Sequence, residues 1–316
     1  MKVLIIVNPR AGSGTDAGLR DFVTELGRRR AELTVRFLVE DADLATLLAD
    51  ATSFEVVVSV GGDGTASGIA YTLRDTGVPV LVFPAGTANL LARNLRLPAA
   101  PDALARAVAE GATATLDLGE LSFDAGTATS RGPIGFAVAA GAGFDAAIME
   151  GADPLKAALG EGAYIIAALQ NLAPTVATFT LELDGTTITT EGIAVLLLNL
   201  GRIQFDLAVA HGTDGQDGLL DVVVLKTRNP AGLLPTIWAA LLDRLADHPD
   251  RPGLEVYGAS RVRISADPAL PLEYDGESLP GATTPVSARI LPRAGTFIVG
   301  ADSPLRSGGS VGLPER

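Results

Sequence analysis

Hydrophobic and polar residues follow two patterns along the chain, and the pattern changes near residue 120. Before this point, short runs rich in β-branched residues alternate with segments of helical character, which is typical of a parallel sheet built from β-α units. The predicted strands are 3–7, 33–39, 56–60 and 78–83, and the predicted helices are 16–31, 41–52 and 65–76, opened by Thr15-Asp16, Asp41 and Thr65. Residues 56–60 are nearly all apolar, as a strand buried on both faces must be. We therefore predict a doubly wound, Rossmann-like α/β domain over residues 1–120, completed by residues 291–302.

The second pattern consists of many short β-prone runs separated by Gly, Pro, Asp and Thr. Two runs flank Asp184-Gly185, a dipeptide that favours a hairpin turn, and 194–198 and 220–225 are further predicted strands. Helical segments interrupt the pattern near 155–172 and 230–247. Residues 121–290 are therefore predicted to form a β-sandwich-like domain, and 303–316, rich in Gly, Ser and Pro, a disordered tail.

Composition narrows the class of protein. The chain has 316 residues, 47% of them hydrophobic, with 24 basic and 37 acidic side chains and a formal net charge of −13. Such a charge argues against binding nucleic acid by bulk attraction. The chain has no cysteine, which excludes disulfide scaffolds and thiolate chemistry. It has two histidines, which leaves little scope for histidine-based metal sites or catalytic triads. We expect a cytoplasmic protein whose lipid contacts, if it makes any, are local and apolar, because no stretch reads as a signal peptide or a membrane span.

The strongest chemical signal is the run Gly61-Gly62-Asp63-Gly64-Thr65, which follows a buried strand and precedes a helix. Glycines let the backbone approach a ligand closely, and the start of the helix offers free N–H groups to phosphate. The spacing matches neither a Walker A loop nor a Rossmann fingerprint. Taken alone, the run is also compatible with a tight turn whose glycines only supply unusual backbone angles.

Two further loops are predicted at the same edge of the sheet. One follows the first strand, from Asn8 and Arg10 through Gly12-Ser13-Gly14, and the other is Gly86-Thr87-Ala88-Asn89 after the fourth strand. Ligands of open α/β sheets bind at the carboxyl ends of the strands, so three small polar loops at this edge favour a nucleotide phosphate site.

The second domain contains two acidic segments. Residues 214–221 offer Asp214, Asp217 and nearby carbonyl groups, hard oxygen ligands suited to Mg²⁺ or Ca²⁺. Asp275-Gly276-Glu277 places two carboxylates at positions i and i+2, where one could accept a proton from a substrate hydroxyl. A solvated acidic turn and an ordinary turn are the alternatives for these two segments.

Together these motifs resemble the diacylglycerol kinase catalytic family, which includes bacterial lipid kinases and sphingosine and ceramide kinases. The resemblance covers nearly the whole chain and rests on Val7-Asn8-Pro9 with Gly12-Ser13-Gly14, on Gly61–Thr65, on Gly86-Thr87-Ala88-Asn89 with Ala92-Arg93, on 214–221 and on 275–277. It implies two domains with ATP in the cleft between them, Mg²⁺, and transfer of the γ-phosphoryl group to a lipid hydroxyl. The Gly61–Thr65 run is also similar to that of NAD kinases, which are distant relatives.

The resemblance also implies roles for individual residues. The ATP phosphates would contact Asn8, Arg10, Gly12, Ser13, Gly14, Gly61, Gly62, Asp63, Gly64, Thr65, Gly86, Thr87 and Asn89. Because like charges repel, Asp63 would act through Mg²⁺ or by holding the loop; bonding to its own backbone is the alternative. Asp214, Asp217 and the Leu219 carbonyl would hold a structural Mg²⁺.

The remaining predicted residues concern the acceptor side. Asp275 is the favoured proton acceptor, with Glu277 orienting it or a water, and the reverse assignment stays open. Asp117 and Lys156 match an acidic and a basic position of the family; a strand-end hydrogen bond and a surface lysine are the alternatives.

The chain departs from the family in two places. Leu90-Leu91 stands where many diacylglycerol-phosphorylating members carry Asp-Phe, and the first loop lacks a lysine that some members have. These differences leave the acceptor lipid open. Residues 136–144 and 157–172 are compatible either with an acyl-chain groove or with plain core. The rival functions are an NAD kinase-like soluble-substrate kinase and a non-catalytic lipid- or nucleotide-binding homologue. A homodimer and transient contact with the inner membrane surface are further expectations.

Overall fold

The computed structural model describes residues 1–10, 15–39, 42–86, 88–124, 132–143, 174–203, 207–208, 213–228 and 253–305. The chain forms two compact units, one made of Met1–Leu118 with the chain from Pro292 onward and the other of Gly119–Leu291. Two long strands, β5 (Thr113–Phe123) and β18 (Val286–Ile298), carry the chain from one unit to the other.

The first unit is a parallel sheet covered by helices. Its strands follow the order β2-β1-β3-β4-β18, and each neighbouring pair is parallel. The strands are β1 (Lys2–Val7), β2 (Glu32–Phe37), β3 (Val56–Gly61) and β4 (Val80–Pro84), and the helices are α1 (Thr15–Arg28), α2 (Leu44–Leu47), α3 (Asp63–Thr72), α4 (Leu90–Asn94) and α5 (Pro101–Glu110). Every residue of β3 is buried, as the sequence predicted.

The hydrophobic core of this unit lies between the sheet and the helices α1 and α5. Phe22 and Leu26 of α1 and Leu104 of α5 are completely buried against β-branched side chains of β1 and β3. The rings of Phe22 and Phe83 lie 5.3 Å apart between centroids. Each fully buried side chain of this size contributes about 1.5–3 kcal/mol to stability, so this core fixes the strands whose ends carry the loops described below.

One predicted helix of this unit is wrong. The sequence predicted a single helix over 41–52, but the structure has the one-turn helix α2 and a separate 3-10 turn at Ala51–Ser53. The Asp43 carboxylate caps α2 by accepting hydrogen bonds from the Ala45 and Thr46 N–H groups. Asp41, the predicted cap, lies outside the described residues. Helix α3 also begins at Asp63, two residues before the predicted start, because Gly62 is its N-cap.

The second unit has two antiparallel sheets. One has the order β14-β13-β10-β7-β16-β17, and the other contains β18-β15-β8-β9, with β5 next to β18 and β6 next to β5. The strands are β6 (Ile134–Phe136), β7 (Ala139–Gly143), β8 (Ala177–Leu183), β9 (Thr186–Gly192), β10 (Ala194–Leu198), β11 (Arg202–Ile203), β12 (Leu207–Ala208), β13 (Leu220–Leu225), β14 (Leu254–Ala259), β15 (Arg261–Asp267), β16 (Pro271–Tyr274) and β17 (Glu277–Thr283). The pair β11 and β12 forms a separate small ladder. The β-sandwich-like fold is thereby confirmed.

Side chains from both sheets form one core that includes Phe136, Phe179, Leu197 and Val222. Within 136–143, Phe136, Val138 and the alanines at 137, 140 and 142 are buried, so this stretch is core rather than an open groove. Residues 157–172 and the two predicted helices near 155–172 and 230–247 lie outside the described residues. No helix in the described part of the chain is long and apolar enough to span a bilayer.

Candidate active site

Three predicted loops of the first unit lie at one edge of its sheet. Because β1, β3 and β4 are parallel neighbours, Val7 pairs with Val60 and Gly61 pairs with Pro84. The loops that begin at Asn8, Gly61 and Pro84 therefore start side by side. Gly12, Ser13, Gly14 and Thr87 lie outside the described residues.

The first loop is fixed to helix α3 through Asn8. Its Nδ2 donates a hydrogen bond to Thr65 Oγ1 at 2.9 Å, and its Oδ1 accepts one from the Arg10 N–H at 3.0 Å. Its own N–H donates to the Val60 carbonyl at 2.8 Å. A Cβ at position 61 would lie only 2.7 Å from the Thr65 Cβ, so the loop requires glycine there. Asn8 and Thr65 thus act as a pair that fixes the first residues after β1 to α3.

Asp63 connects the second loop to the third. Its carboxylate is 6% exposed and accepts hydrogen bonds from the N–H groups of Leu90, at 2.9 Å, and Leu91, at 2.8 Å. Burial raises the pKa of the Asp63 carboxyl, while these two hydrogen bonds and the nearby charge of Arg93 act in the opposite direction. Asp63 therefore holds the start of α4. Because Asp63 binds the main-chain N–H of Leu90, this contact does not depend on which side chain stands at position 90.

The third loop is closed by Asn89. The Asn89 side chain accepts a hydrogen bond from the Gly86 N–H at 2.8 Å and donates one to the Gly86 carbonyl at 2.7 Å. Asn89 adopts a left-handed conformation, with φ +51°. A Cβ on Gly86 would lie 2.8 Å from the Gly62 Cα, so the third loop touches the second directly. The three loops form one hydrogen-bonded and packed set beside the N-terminus of α3, whose N-cap Gly62 offers no side chain to its free N–H groups.

The two carboxylates of the predicted acceptor-side turn have different environments. Asp275 is 4% exposed, and its carboxylate accepts hydrogen bonds from the N–H groups of Ala137, Val138 and Ala139, each at 2.9 Å. Glu277 is exposed, and its Oε2 accepts a hydrogen bond from the Tyr274 hydroxyl at 3.3 Å. Most lone pairs of Asp275 are thus occupied by main-chain donors. This geometry favours the reverse of the expected assignment, with Glu277 as the proton acceptor and Asp275 as its support.

The predicted metal loop contains two exposed carboxylates that fold back on their own backbone. Asp214 Oδ1 accepts a hydrogen bond from the Gln216 N–H at 3.1 Å, and Asp217 Oδ1 accepts one from the Leu219 N–H at 2.9 Å. Within the described residues no three His, Asp or Glu side chains converge as a metal cluster. Two carboxylates and the Leu219 carbonyl are hard donors that suit Mg²⁺, with water completing the coordination.

Asp221 is an acidic residue of this region to which the sequence assigned no role. It lies in β13, where burial raises the pKa of its carboxyl and the charge of Asp217 raises it further. The only sequence signal was its place at the end of the acidic run.

Asp117 and Lys156 complete the predicted set. Asp117 is completely buried, and its Oδ1 accepts a hydrogen bond from the Arg293 N–H at 2.6 Å. Arg293 has a φ of +52°, so this carboxylate stabilises an irregular point in β18. The geometry favours the strand hydrogen bond, which was the alternative for Asp117. Lys156 lies outside the described residues.

The fold combines an α/β unit, with three connected loops at one edge of its parallel sheet, and a β-sandwich unit that bears the Asp275–Glu277 turn. Residues 2–121 match the diacylglycerol kinase catalytic domain, and residues 138–299 match the YegS C-terminal NAD kinase β-sandwich-like domain. Together, these two matches cover most of the chain.

Curated relatives agree with this result. A diacylglycerol kinase of Mycobacterium tuberculosis is 31% identical over 302 residues, covering 89% of this chain and 93% of the relative. A YegS-like protein of Xanthomonas campestris, named a probable lipid kinase, is 30% identical over 283 residues, covering 83% of this chain and 88% of the relative. The chain therefore belongs to the diacylglycerol kinase family of lipid kinases.

A solved diacylglycerol kinase from Bacillus anthracis has the same fold. Its TM-score is 0.72 at 21% identity, with 95% of this chain and 97% of that chain covered. At this level of identity the comparison supports the arrangement of secondary structure within the family and not the identity of the acceptor.

Proposed function

We propose that this protein transfers the γ-phosphoryl group of ATP to the hydroxyl group of a membrane-derived lipid, with diacylglycerol as the first candidate and long-chain bases or ceramide as the others. The observation that carries this proposal is the set of three connected loops at the edge of the first unit. The Asn8–Thr65 pair, the bonds from Asp63 to α4 and the contact of Gly86 with Gly62 all order main-chain groups next to the start of α3.

On the donor side, the residues recognise phosphate through main-chain N–H groups and the positive end of the α3 dipole. Glycines at 61, 62 and 86 leave room for phosphate oxygens close to the backbone. Asp63 keeps the loops together and does not itself contact phosphate, because two negative charges repel. Gly12, Ser13, Gly14 and Thr87 are expected to add further contacts.

On the acceptor side, Glu277 accepts the proton of the lipid hydroxyl as the oxygen of that hydroxyl attacks the γ-phosphorus. The new oxygen–phosphorus bond forms while the bond from the γ-phosphorus to the bridging oxygen breaks, and ADP leaves with the electron pair of that bond. Asp275 holds the turn in place. Mg²⁺, when bound by Asp214, Asp217 and the Leu219 carbonyl, would neutralise the acidic loop and stabilise the second unit.

A lipid acceptor also implies contact with a membrane surface. The net charge of −13 makes attraction to anionic lipid unfavourable, so we propose a peripheral and transient contact made by apolar side chains.

The deciding experiment incubates the protein with labelled ATP and, separately, with dispersed diacylglycerol, sphingosine, ceramide, NAD or no acceptor. We expect label in a lipid. Label in NAD instead would support a soluble-substrate kinase, and binding of ATP with no transfer to any acceptor would support a non-catalytic homologue. The matched variant is Asp275→Ala, which should still bind ATP while losing phosphoryl transfer; unchanged turnover would contradict the role of this turn.

A further inference from the structure

Residues 137–139 comprise the connection between β6 and β7 and the first residue of β7, and they form hydrogen bonds along both of their edges with residues distant in the sequence. On one edge, the N–H groups of Ala137, Val138 and Ala139 all donate to the Asp275 carboxylate. On the other edge, Asn199 Nδ2 donates to the Ala137 carbonyl at 2.7 Å, and the Asn199 N–H donates to the Val138 carbonyl at 2.9 Å. We call Asn199, residues 137–139 and Asp275 the acceptor clamp.

The clamp acts through two peptide groups. The Ala137 carbonyl and the Val138 N–H belong to one planar peptide unit, and the Val138 carbonyl and the Ala139 N–H belong to the next. In each unit Asn199 binds the carbonyl end while Asp275 binds the N–H end. Because a peptide unit is rigid, fixing its oxygen also fixes the direction of its N–H. Hydrogen bonds in such a chain polarise and strengthen one another.

Asn199 itself is held firmly. It is 1% exposed and follows directly after β10, whose residues pair with β7 and β13. On its other side lies the acidic loop, where a Cβ on Gly215 would be 2.6 Å from Leu200 Cδ2 and 3.1 Å from the Asn199 carbonyl oxygen. The Asn199 main chain is therefore fixed by a sheet and by a tightly packed loop before its side chain reaches residue 137.

The Asp275 end of the clamp leads directly to Glu277. Asp275 and Gly276 both have positive φ, +44° and +77°, and form the tight turn between β16 and β17. Glu277 then pairs with Tyr274 in the first register position of that hairpin. Only Gly276 separates Asp275 from Glu277 in the chain. A displacement of Asp275 therefore also displaces Glu277.

We infer that Asn199 is a positioning residue for the phosphoryl acceptor side: it orients the N–H groups of residues 138 and 139, these hold Asp275, and Asp275 places the Glu277 carboxylate. This inference rests on the proposed function. Asn199 contacts neither ATP nor lipid in this scheme, so its loss should slow the chemical step and leave ATP binding intact. Enzymes lose about 10²-fold in rate when a reacting group is misplaced by about 1 Å.

The test replaces Asn199 by Leu, which has a similar size and no donor, and by Ser, which keeps a shorter donor. The readouts are the rate with labelled ATP and dispersed diacylglycerol, the KM for ATP, and hydrogen exchange at the Val138 and Ala139 amides. Asn199→Leu should lower kcat about 10- to 100-fold and change the KM for ATP less than about twofold. Amide exchange at Val138 should become at least about tenfold faster. Exchange at Ala139 should change less, because the Asn199 main-chain N–H that binds the Val138 carbonyl is kept in both variants. Asn199→Ser should fall between Leu and the parent.

Thr190→Val is the matched control. Thr190 is a buried polar residue of the same unit whose hydroxyl donates to Glu255 Oε2 at 3.2 Å. It lies in β9, whereas Asn199 follows β10 of the other sheet. It should leave kcat and the exchange of Val138 and Ala139 unchanged. The double variant Asn199→Leu/Asp275→Asn should lose less than the sum of the single losses, because both side chains bind the peptide group between Ala137 and Val138.

Two results would overturn the inference: unchanged amide exchange at Val138 in both Asn199 variants, or faster exchange at Val138 with kcat intact. If the parent protein phosphorylates no lipid, the proposed function fails; the exchange data then still decide whether the clamp exists. Should Asn199→Leu not fold, the Ser variant and the Thr190 control carry the comparison.

Discussion

The loops proposed to bind phosphate, in the first unit, and the turn proposed to face the acceptor, in the second unit, are built in different ways. The loops follow consecutive strands of a parallel sheet, and the contacts between them join residues 27, 28 and 57 positions apart. The turn is held by three hydrogen bonds that span 136 to 138 positions. The first site can therefore be predicted from a strand-loop-helix pattern in the sequence. The second site cannot be predicted in this way, because its strands become neighbours only in the folded sandwich.

The two regions also share one structural feature, a buried aspartate that binds main-chain N–H groups. Asp63 and Asp275 are buried motif aspartates, and each uses its carboxylate to hold main-chain N–H groups of a distant segment. In the proposed function, phosphate binding then falls to the start of α3 in the first unit, and proton acceptance falls to Glu277 in the second. An aspartate in a functional motif can thus position the reacting group without reacting itself.

The largest expected effect separates Glu277 from Asp275. Glu277→Gln should lower kcat about 10²- to 10⁴-fold while changing the free energy of unfolding by less than about 0.5 kcal/mol, since the side chain is exposed. Asp275→Ala should lose activity and also about 3 kcal/mol or more of stability, because two buried N–H groups and one partly buried N–H group lose their acceptor. Steady-state kinetics and urea unfolding measure the two quantities. The opposite pattern, with Glu277→Gln fully active, would return the role of base to Asp275.

Removal of divalent cation is expected to have the second largest effect, a loss of thermal stability. If Mg²⁺ occupies the 214–219 loop at about 100 times its Kd, it adds about 2.7 kcal/mol to the native state. EDTA should then lower the Tm by about 5 °C or more, and Asp217→Asn should abolish this sensitivity. A Tm of the parent protein that does not respond to EDTA would argue against the site.

Asp63→Asn should destabilise the first unit by about 1–3 kcal/mol, because an amide can accept from only one of the two N–H groups at 90 and 91. The parent should also show a pH dependence that the variant lacks. The Asp63 pKa is raised in the folded state, so the contribution of this group to stability is greatest below its unfolded pKa of about 4 and declines as the pH increases through the folded value. Urea unfolding from pH 4 upward measures both effects; identical pH profiles would contradict them.

The smallest of these effects concerns the contact between loops. Gly86→Ala forces a methyl group against the Gly62 Cα and should weaken ATP binding about tenfold, which is about 1.4 kcal/mol. Gly27→Ala in α1 is the matched control, since a Cβ there meets no neighbour, and it should leave ATP affinity unchanged. It should also stabilise the helix by up to about 1 kcal/mol. Isothermal titration with ATP measures both, and equal affinities for the two variants would refute the contact as a requirement for binding.

Local patterns predicted much of the fold correctly. The β-branched runs predicted strands β1 to β4, and the predicted bounds of β10 and β13 agree with the structure. The dipeptide Asp184-Gly185 predicted a hairpin turn, and its two residues have φ values of +46° and +91°. The 41–52 helix failed because the Asp43 cap and the 3-10 turn at Ala51–Ser53 divide the segment. Helical periodicity alone does not register such an interruption.

The sequence by itself determined the α/β and β-sandwich classes, the three loops after parallel strands and the family, because all of these depend on periodicity, on turn residues and on short motifs. Only the tertiary structure decided that Asp63 binds the start of α4, that Asp117 supports Arg293, and that Asn199 and Asp275 grip residues 137–139 from opposite edges. Hydrogen-bond partners of a buried carboxylate or amide are set by which strands become neighbours, and that choice is made by the packing of the whole core.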